Sequence, residues 1–211
     1  MDKLTKNLIK DLIGKNDPII LEVGSYDGED SLEMLKLMPQ AEIYAFEADP
    51  TSIQHFKDLD HPEKIVLVEK AVGKEDGYID WYPSQTNNGE RWSLSSSLKK
   101  PLNHLRNYPT VSFKTDPDKV ECVKLDSWSQ ENIGESIIDF IWCDVNGAEE
   151  EMILGAIETL QNKTRYFYTE CFDTELWEGQ VNTKWILETL DNFEFLGKYG
   201  HNILLKNKTL E

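Results

Sequence analysis

The sequence predicts an α/β fold built on one mostly parallel, doubly wound sheet of seven strands. Three observations point to it. Short apolar runs alternate with helix-period segments along most of the chain. Each of the first five runs closes on an acidic residue or an acid-containing turn. A turn-rich stretch interrupts the alternation between the third and fourth runs and resembles an insertion rather than a second domain. With 211 residues, 39% of them hydrophobic, the chain is long enough for one such domain with a full core.

The elements follow in order. Leu4, Leu8, Ile9, Leu12 and Ile13 recur at helical spacing and predict an N-terminal helix within residues 1–17, ended by Gly14 and Asn16-Asp17-Pro18. Ile19 to Val23 is the first strand, broken by Gly24-Ser25-Tyr26-Asp27-Gly28; Leu32, Leu35 and Met38 mark the helix behind it. Glu42 to Glu47 is the second strand. Asp49-Pro50 then supplies a cap and a proline at the first helical position. Ile65 to Val68 is the third strand, and strands alternating with helices imply right-handed parallel βαβ units.

Residues 73–120 break the rhythm with Asn87-Asn88-Gly89, the serines at 93 and 95–97, and Pro83, Pro101, Pro109 and Pro117. Gly77 to Tyr82 predicts one strand of a small hairpin there. A long irregular segment of this kind is a candidate lid. Ile137 to Cys143 resumes the sheet, and Ala148, Met152, Ile153, Ala156, Ile157 and Leu160 predict one continuous amphipathic helix. Arg165 to Thr169 is the fifth strand, followed by a helix near 182–190. Phe193 to Leu196 and Asn202 to Leu205 predict an antiparallel C-terminal edge, split by Gly200-His201.

Bulk properties narrow the function. Twenty-two Lys and Arg against 39 Asp and Glu leave a net charge of −17, which repels nucleic-acid phosphates. No run approaches the roughly 18–20 apolar residues that span a bilayer, and the N-terminus lacks the apolar core and cleavage site of a signal peptide. Cys122, Cys143 and Cys171 form no CxxC pair and predict reduced thiols in a cytoplasmic protein. No spacing demands a metal.

Ligands of doubly wound sheets sit beyond the carboxyl ends of the strands, where the strand order reverses. The polar groups at those ends are therefore the candidate site: Glu22, Gly24, Ser25, Tyr26, Asp27 and Gly28 around the first, Glu47 and Ala48 at the second, Lys70 and Ala71 after the third, Asp144 at the fourth and Glu170 at the fifth. The first loop does not match G-x-G-x-x-G and is a poor pyrophosphate cradle. Glu47, roughly 20 positions beyond Gly24, stands where a carboxylate accepts hydrogen bonds from both ribose hydroxyls. A phosphate-free, cationic nucleoside such as S-adenosylmethionine satisfies both constraints.

These blocks resemble the FkbM-type methyltransferases. The matching stretches are ILEVGSYDGEDS (Ile20 to Ser31), YAFEADP (Tyr44 to Pro50), VEKAVG (Val68 to Gly73), VKLDSW (Val123 to Trp128), IDFIWCDVNGAEEEMILGAIETL (Ile138 to Leu160) and YFYTE (Tyr166 to Glu170). The resemblance implies a Rossmann-like class I methyltransferase fold and S-adenosylmethionine as cofactor. It places residues 24–28 along the methionine half, Glu47 on the ribose, Ala48, Lys70 and Ala71 at the adenine, and Asp144 near the amino group or the transfer site. Two departures stand out. Asn146 replaces an acid usual in the family, and Glu22 replaces a more usual Asp.

Methylation of a hydroxyl needs a base for the departing proton. Asp144, Glu170 and His104 are the candidates, in that order. Trp81, Tyr82, Trp92 and Tyr108 are available either to pack the insertion or to stack on a sugar ring. The expected acceptor is a hydroxyl of a saccharide or small metabolite, with neither nucleic acid nor membrane as partner. Two alternatives stay open on the residues alone: a nicotinamide-dependent oxidoreductase, and a cofactor-binding pseudoenzyme suggested by Asn146.

Overall fold

The computed structural model describes residues 4–90 and 92–210. Residues 1–3 of the expected N-terminal helix segment, and residue 91 of the expected insertion, lie outside the described residues.

The main sheet has seven strands. β1 (Ile19–Val23), β2 (Glu42–Phe46), β3 (Ile65–Val68), β9 (Ile138–Cys143) and β10 (Thr164–Glu170) pair in parallel, and β12 (Asn202–Asn207) runs antiparallel to both β10 and β11 (Phe193–Tyr199). The order is β11-β12-β10-β9-β1-β2-β3. The last strand therefore inserts between its predecessor and β10 instead of extending the edge. β1, β9 and β10 bury nearly every residue, as strands covered on both faces must.

Alternate residues of these strands feed two cores. Leu21, Val23, Ile141, Cys143 and Phe167 face α5 (Leu125–Asn132), α6 (Glu149–Leu154), α7 (Ile157–Lys163) and α8 (Thr183–Thr189) through Leu125, Met152, Leu160 and Ile186. Ile20, Ile43, Phe140 and Tyr168 face α1 (Lys6–Ile13), α2 (Glu29–Leu37) and α3 (Pro50–Asp58) through Ile9, Met34 and Phe56. The helices start where the chemistry allows. Thr5 accepts from the Leu8 N–H at 3.2 Å, and Asp49 accepts from the Thr51 N–H at 2.8 Å with Pro50 opening the helix.

Two expectations are corrected here. The continuous helix over 148–160 is two helices, broken at Gly155-Ala156. The apolar period runs through the break, so the sequence conceals it. The cause is tertiary: the Gly73 carbonyl passes so close that a Cβ on Gly155 would overlap it. The strand Gly77–Trp81 (β5) does not pair with a close neighbour in sequence. It pairs antiparallel with β8 (Asp118–Val123), which also takes β4 (Ala71–Val72), so the two ends of residues 71–123 come together as a three-stranded sheet of their own. A ribbon of β6 (Ser84–Thr86) and β7 (Val111–Phe113), a 3₁₀ turn (Ser93–Ser95) and the short α4 (His104–Asn107) fill the rest. Among the described residues, no helix is long and apolar enough to cross a membrane.

Candidate active site

Register brings the site together. Val23 pairs with Phe46 and with Cys143, and Cys143 pairs with Thr169. The next residues, Gly24, Glu47, Asp144 and Glu170, therefore emerge side by side on one rim, at the point where the strand order reverses. Gly24, at φ +87°, lets the first loop touch the fourth: a Cβ there would overlap the Asp144 carbonyl oxygen.

Two adjoining cavities open on this rim. The first is a cleft of about 710 Å³ counted with the open space at its mouth. Of the sequence-predicted residues it is lined by Gly24, Tyr26, Glu47, Ala48, Lys70, Ala71 and Asp144. The second, of about 1,380 Å³ counted the same way, is lined by Asp144, Glu170 and His104, all three base candidates. Asp144, Asn146 and Leu94 belong to both walls and mark the junction.

Glu47 is held by its own backbone. Its Oε1 accepts from the Ala48 and Asp49 N–H groups at 2.8 and 2.7 Å, and its Oε2 from the Tyr26 N–H at 2.8 Å. Tyr26 takes φ +51° to present that N–H, a conformation rare for an aromatic residue. Burial raises the Glu47 carboxyl to about 7, against the pull of these three bonds.

At the junction, Asp144 and Glu170 face each other as a buried carboxyl pair. Burial raises both above the ordinary carboxylate range; the Asp144 charge pushes Glu170 up further, whereas the hydrogen bond with Glu170 holds Asp144 lower. Glu149, buried nearby, accepts from the Gly147 N–H at 3.2 Å and is raised to about 8, chiefly by burial and then by Asp144. Glu149 stands in the first turn of α6, and its burial in the acid cluster is set by the fold. Clustered, desolvated acids of this kind fit a cationic ligand.

Four predicted cofactor residues do not reach the first cavity. Glu22 is buried under it, bonded to the Ser31 hydroxyl of α2, and burial lifts it to about 8. Strand alternation explains this, since Val23 takes the cavity side. Asp27 turns back to accept from the Glu29 N–H at 3.1 Å. A Cβ on Gly28 would run into the Phe56 ring, so this glycine serves helix packing. Ser25 is buried beside the loop with its hydroxyl unpartnered.

His104 sits among Tyr108, Phe113 and Trp177, with ring centroids 4.8, 5.3 and 4.7 Å away. Burial lowers its pKa and Nδ1 has no partner, so the imidazole is neutral at physiological pH. The four aromatics divide. Trp81 and Tyr82 are buried, Trp81 donating to Asp49 at 3.2 Å, whereas Trp92 and Tyr108 are 42% and 46% exposed and line the second cavity. Phe172, Leu176 and Trp177 complete that wall; their position after β10 gave no sequence signal.

A doubly wound sheet of this strand order, with an acid-rimmed cleft over its reversal, defines the Rossmann-like class I methyltransferases. The family model for the FkbM methyltransferase domain matches residues 22–199. The chain is 39% identical over 208 residues to the 2-O-methyltransferase NoeI of Sinorhizobium fredii, covering 96% of this chain and 84% of that one. Two solved structures share the fold at TM-score 0.51. One, from Staphylococcus aureus and provisionally described as a caffeoyl-CoA O-methyltransferase, is 15% identical and covers 98% of this chain and 84% of its own. The other, a provisionally described rRNA methylase from Clostridium thermocellum, is 8% identical and covers 96% and 92%. The chain belongs to the FkbM methyltransferase family, and its methyl donor is S-adenosylmethionine.

Proposed function

We propose that the first cavity is the donor site, the second the acceptor site, and that the protein O-methylates an uncharged, hydroxylated ring compound such as a saccharide. The junction at Asp144 carries this reading: one carboxylate borders both cavities. Glu47 holds the ribose through the lone pairs its three N–H donors leave free, Ala48, Lys70 and Ala71 border the adenine, and Gly24 and Tyr26 flank the methionine half. When bound, S-adenosylmethionine supplies an electrophilic methyl group on a sulfonium. The chain's own residues do the rest. Asp144, raised by burial above the ordinary carboxylate range, orients the acceptor hydroxyl and takes its proton. Glu170 holds Asp144 in place, and neutral His104 contacts the acceptor from the opposite wall.

The chemistry of the second cavity supports the acceptor class. Among the described residues its wall offers amides and hydroxyls (Asn87, Asn88, Thr86, Thr110), the rings of Trp92, Tyr108 and Trp177, and two carboxyls, but no Lys or Arg. Rings and amides suit neutral sugars, and carboxyls repel phosphates and carboxylates. The relative named as a 2-O-methyltransferase supports oxygen as the methylated atom. The chain functions as one domain with residues 73–120 as a lid-forming elaboration. Its three free, buried cysteines fit a reducing cytoplasm.

The test is S-adenosylhomocysteine release from the wild-type chain with panels of neutral saccharides, phosphosugars and coenzyme A conjugates. Turnover with neutral sugars, lowered at least ~100-fold by Asp144→Asn with donor affinity kept, is expected. Turnover confined to anionic acceptors contradicts the reading.

A further inference from the structure

We propose that Asn146 is a positioning residue that fastens the strip of residues 92–98 across the boundary between the two cavities, and that the fastening requires a neutral amide. The inference rests on the reading of these cavities as donor and acceptor sites. The strip walls both: Leu94 and Ser96 face the first, Trp92 and Ser95 the second, and Leu94 belongs to each. On one side it is tied into the insertion, where the Tyr82 N–H donates to the Ser97 carbonyl at 2.8 Å and the Ser84 N–H to the Ser96 hydroxyl at 3.1 Å.

On the other side two bonds tie it to the loop after β9, and both end on Asn146. The Asn146 Nδ2 donates to the Leu94 carbonyl at 3.3 Å, and the Ser97 hydroxyl donates to the Asn146 carbonyl at 2.7 Å. Asn146 reaches both by adopting φ +51°, a left-handed conformation that asparagine tolerates better than most residues.

An aspartate here would turn an acceptor oxygen toward the Leu94 carbonyl and forfeit the bond. It would also add a third carboxylate beside Asp144 and Glu170, which share its cavity, with Glu149 buried behind. The amide is therefore a fastener of the strip, a role that a carboxylate cannot fill. It acts through the strip: with the strip held, the acceptor cavity keeps its Trp92 wall and the donor cavity its Leu94 wall.

The experiment is hydrogen exchange by mass spectrometry over residues 92–98 in the ligand-free protein at pH 8 and pH 5.5, corrected for the intrinsic pH dependence of exchange. Asn146→Ala should speed exchange of the Ser95 to Ser97 amides at least tenfold at both pH values. Asn146→Asp should match it at pH 8, where the carboxylate offers the Leu94 carbonyl no donor. Ser97→Ala, which leaves residue 146 intact, should give an intermediate, pH-independent increase of about threefold. Wild-type protection in Asn146→Ala or in Asn146→Asp at pH 8 overturns the proposal. Calorimetry of wild-type protein with S-adenosylhomocysteine tests the underlying cavity reading separately.

Discussion

Replacing Glu47 by Gln tests the donor site with almost no change of shape. The carboxylate accepts three backbone N–H bonds, two at Oε1 and one at Oε2. A glutamine keeps its oxygen where two N–H groups converge, which turns its NH₂ onto the Tyr26 N–H. Two donors then face each other, and the strained Tyr26 backbone loses its anchor. An orphaned buried donor costs about 1–3 kcal/mol, so the melting midpoint should fall by roughly 2–12 °C for a chain of this size. The ligand loses a charged acceptor for its ribose, a bond worth about 1.5–3 kcal/mol, or roughly 10- to 150-fold in Kd. The assay is calorimetric titration with S-adenosylhomocysteine at pH 8, where wild-type Glu47, with its pKa of about 7, is ionised. At pH 6 most of that carboxyl is protonated, so the wild-type Kd should rise about tenfold from this group while the variant's share stays flat. A variant Kd within twofold of wild type at pH 8, or an identical pH dependence, refutes the ribose assignment.

Further outcomes follow from the same geometry. Glu170→Gln removes a carboxyl that burial and the Asp144 charge hold protonated while keeping a donor toward Asp144, so at pH 8 thermal unfolding should shift upward by a few degrees while turnover falls; an unchanged or lower midpoint argues against that burial. Glu22, Glu47 and Glu149 are raised to about 8, 7 and 8, so the folded chain holds protons that the unfolded chain releases. Their contribution to stability is full below about pH 4.5 and is lost as pH rises through 7 and 8, so the ligand-free melting midpoint should decline from pH 5 to pH 8.5 and a rise would contradict the burial of these acids. Gly24→Ala places a methyl against the Asp144 carbonyl at φ +87° and should cost about 3 kcal/mol or more, read from urea unfolding. Trp92→Ala should leave S-adenosylhomocysteine affinity within threefold and raise the KM for a neutral sugar acceptor; the reverse pattern would move Trp92 out of the acceptor wall.

Much of the core sheet is legible because its central strands are buried on both faces. Ile19 to Val23 and Ile138 to Cys143 are near-continuous apolar runs, and the polar residues that end them stand at the rim. Glu47 and Asp144 follow from that logic. What escapes is whatever depends on a distant partner. β5 pairs with β8 about 40 residues on, and β12 slips between β10 and β11, neither of which a local period encodes. α5 is the polar stretch LDSWSQEN, which shows a weak apolar stripe despite burying Leu125 and Trp128. Glu22 and Val23 are adjacent in sequence but point to opposite faces, so a reading that treats every strand-end acid as a ligand group overcounts. The second cavity is assembled from residues 86–111, 144–146 and 170–177, and beyond its acids, His104 and the rings of Trp92 and Tyr108 its wall carries little chemical signal in the sequence.

The central claim is that one carboxylate, Asp144, stands where donor and acceptor meet. A crystal structure with S-adenosylhomocysteine bound tests it most directly. The account predicts the ribose hydroxyls on Glu47 and the thioether sulfur turned toward Asp144 and the mouth of the second cavity. A nucleoside bound away from Glu47, or a sulfur facing away from the His104 and Glu170 wall, would contradict it.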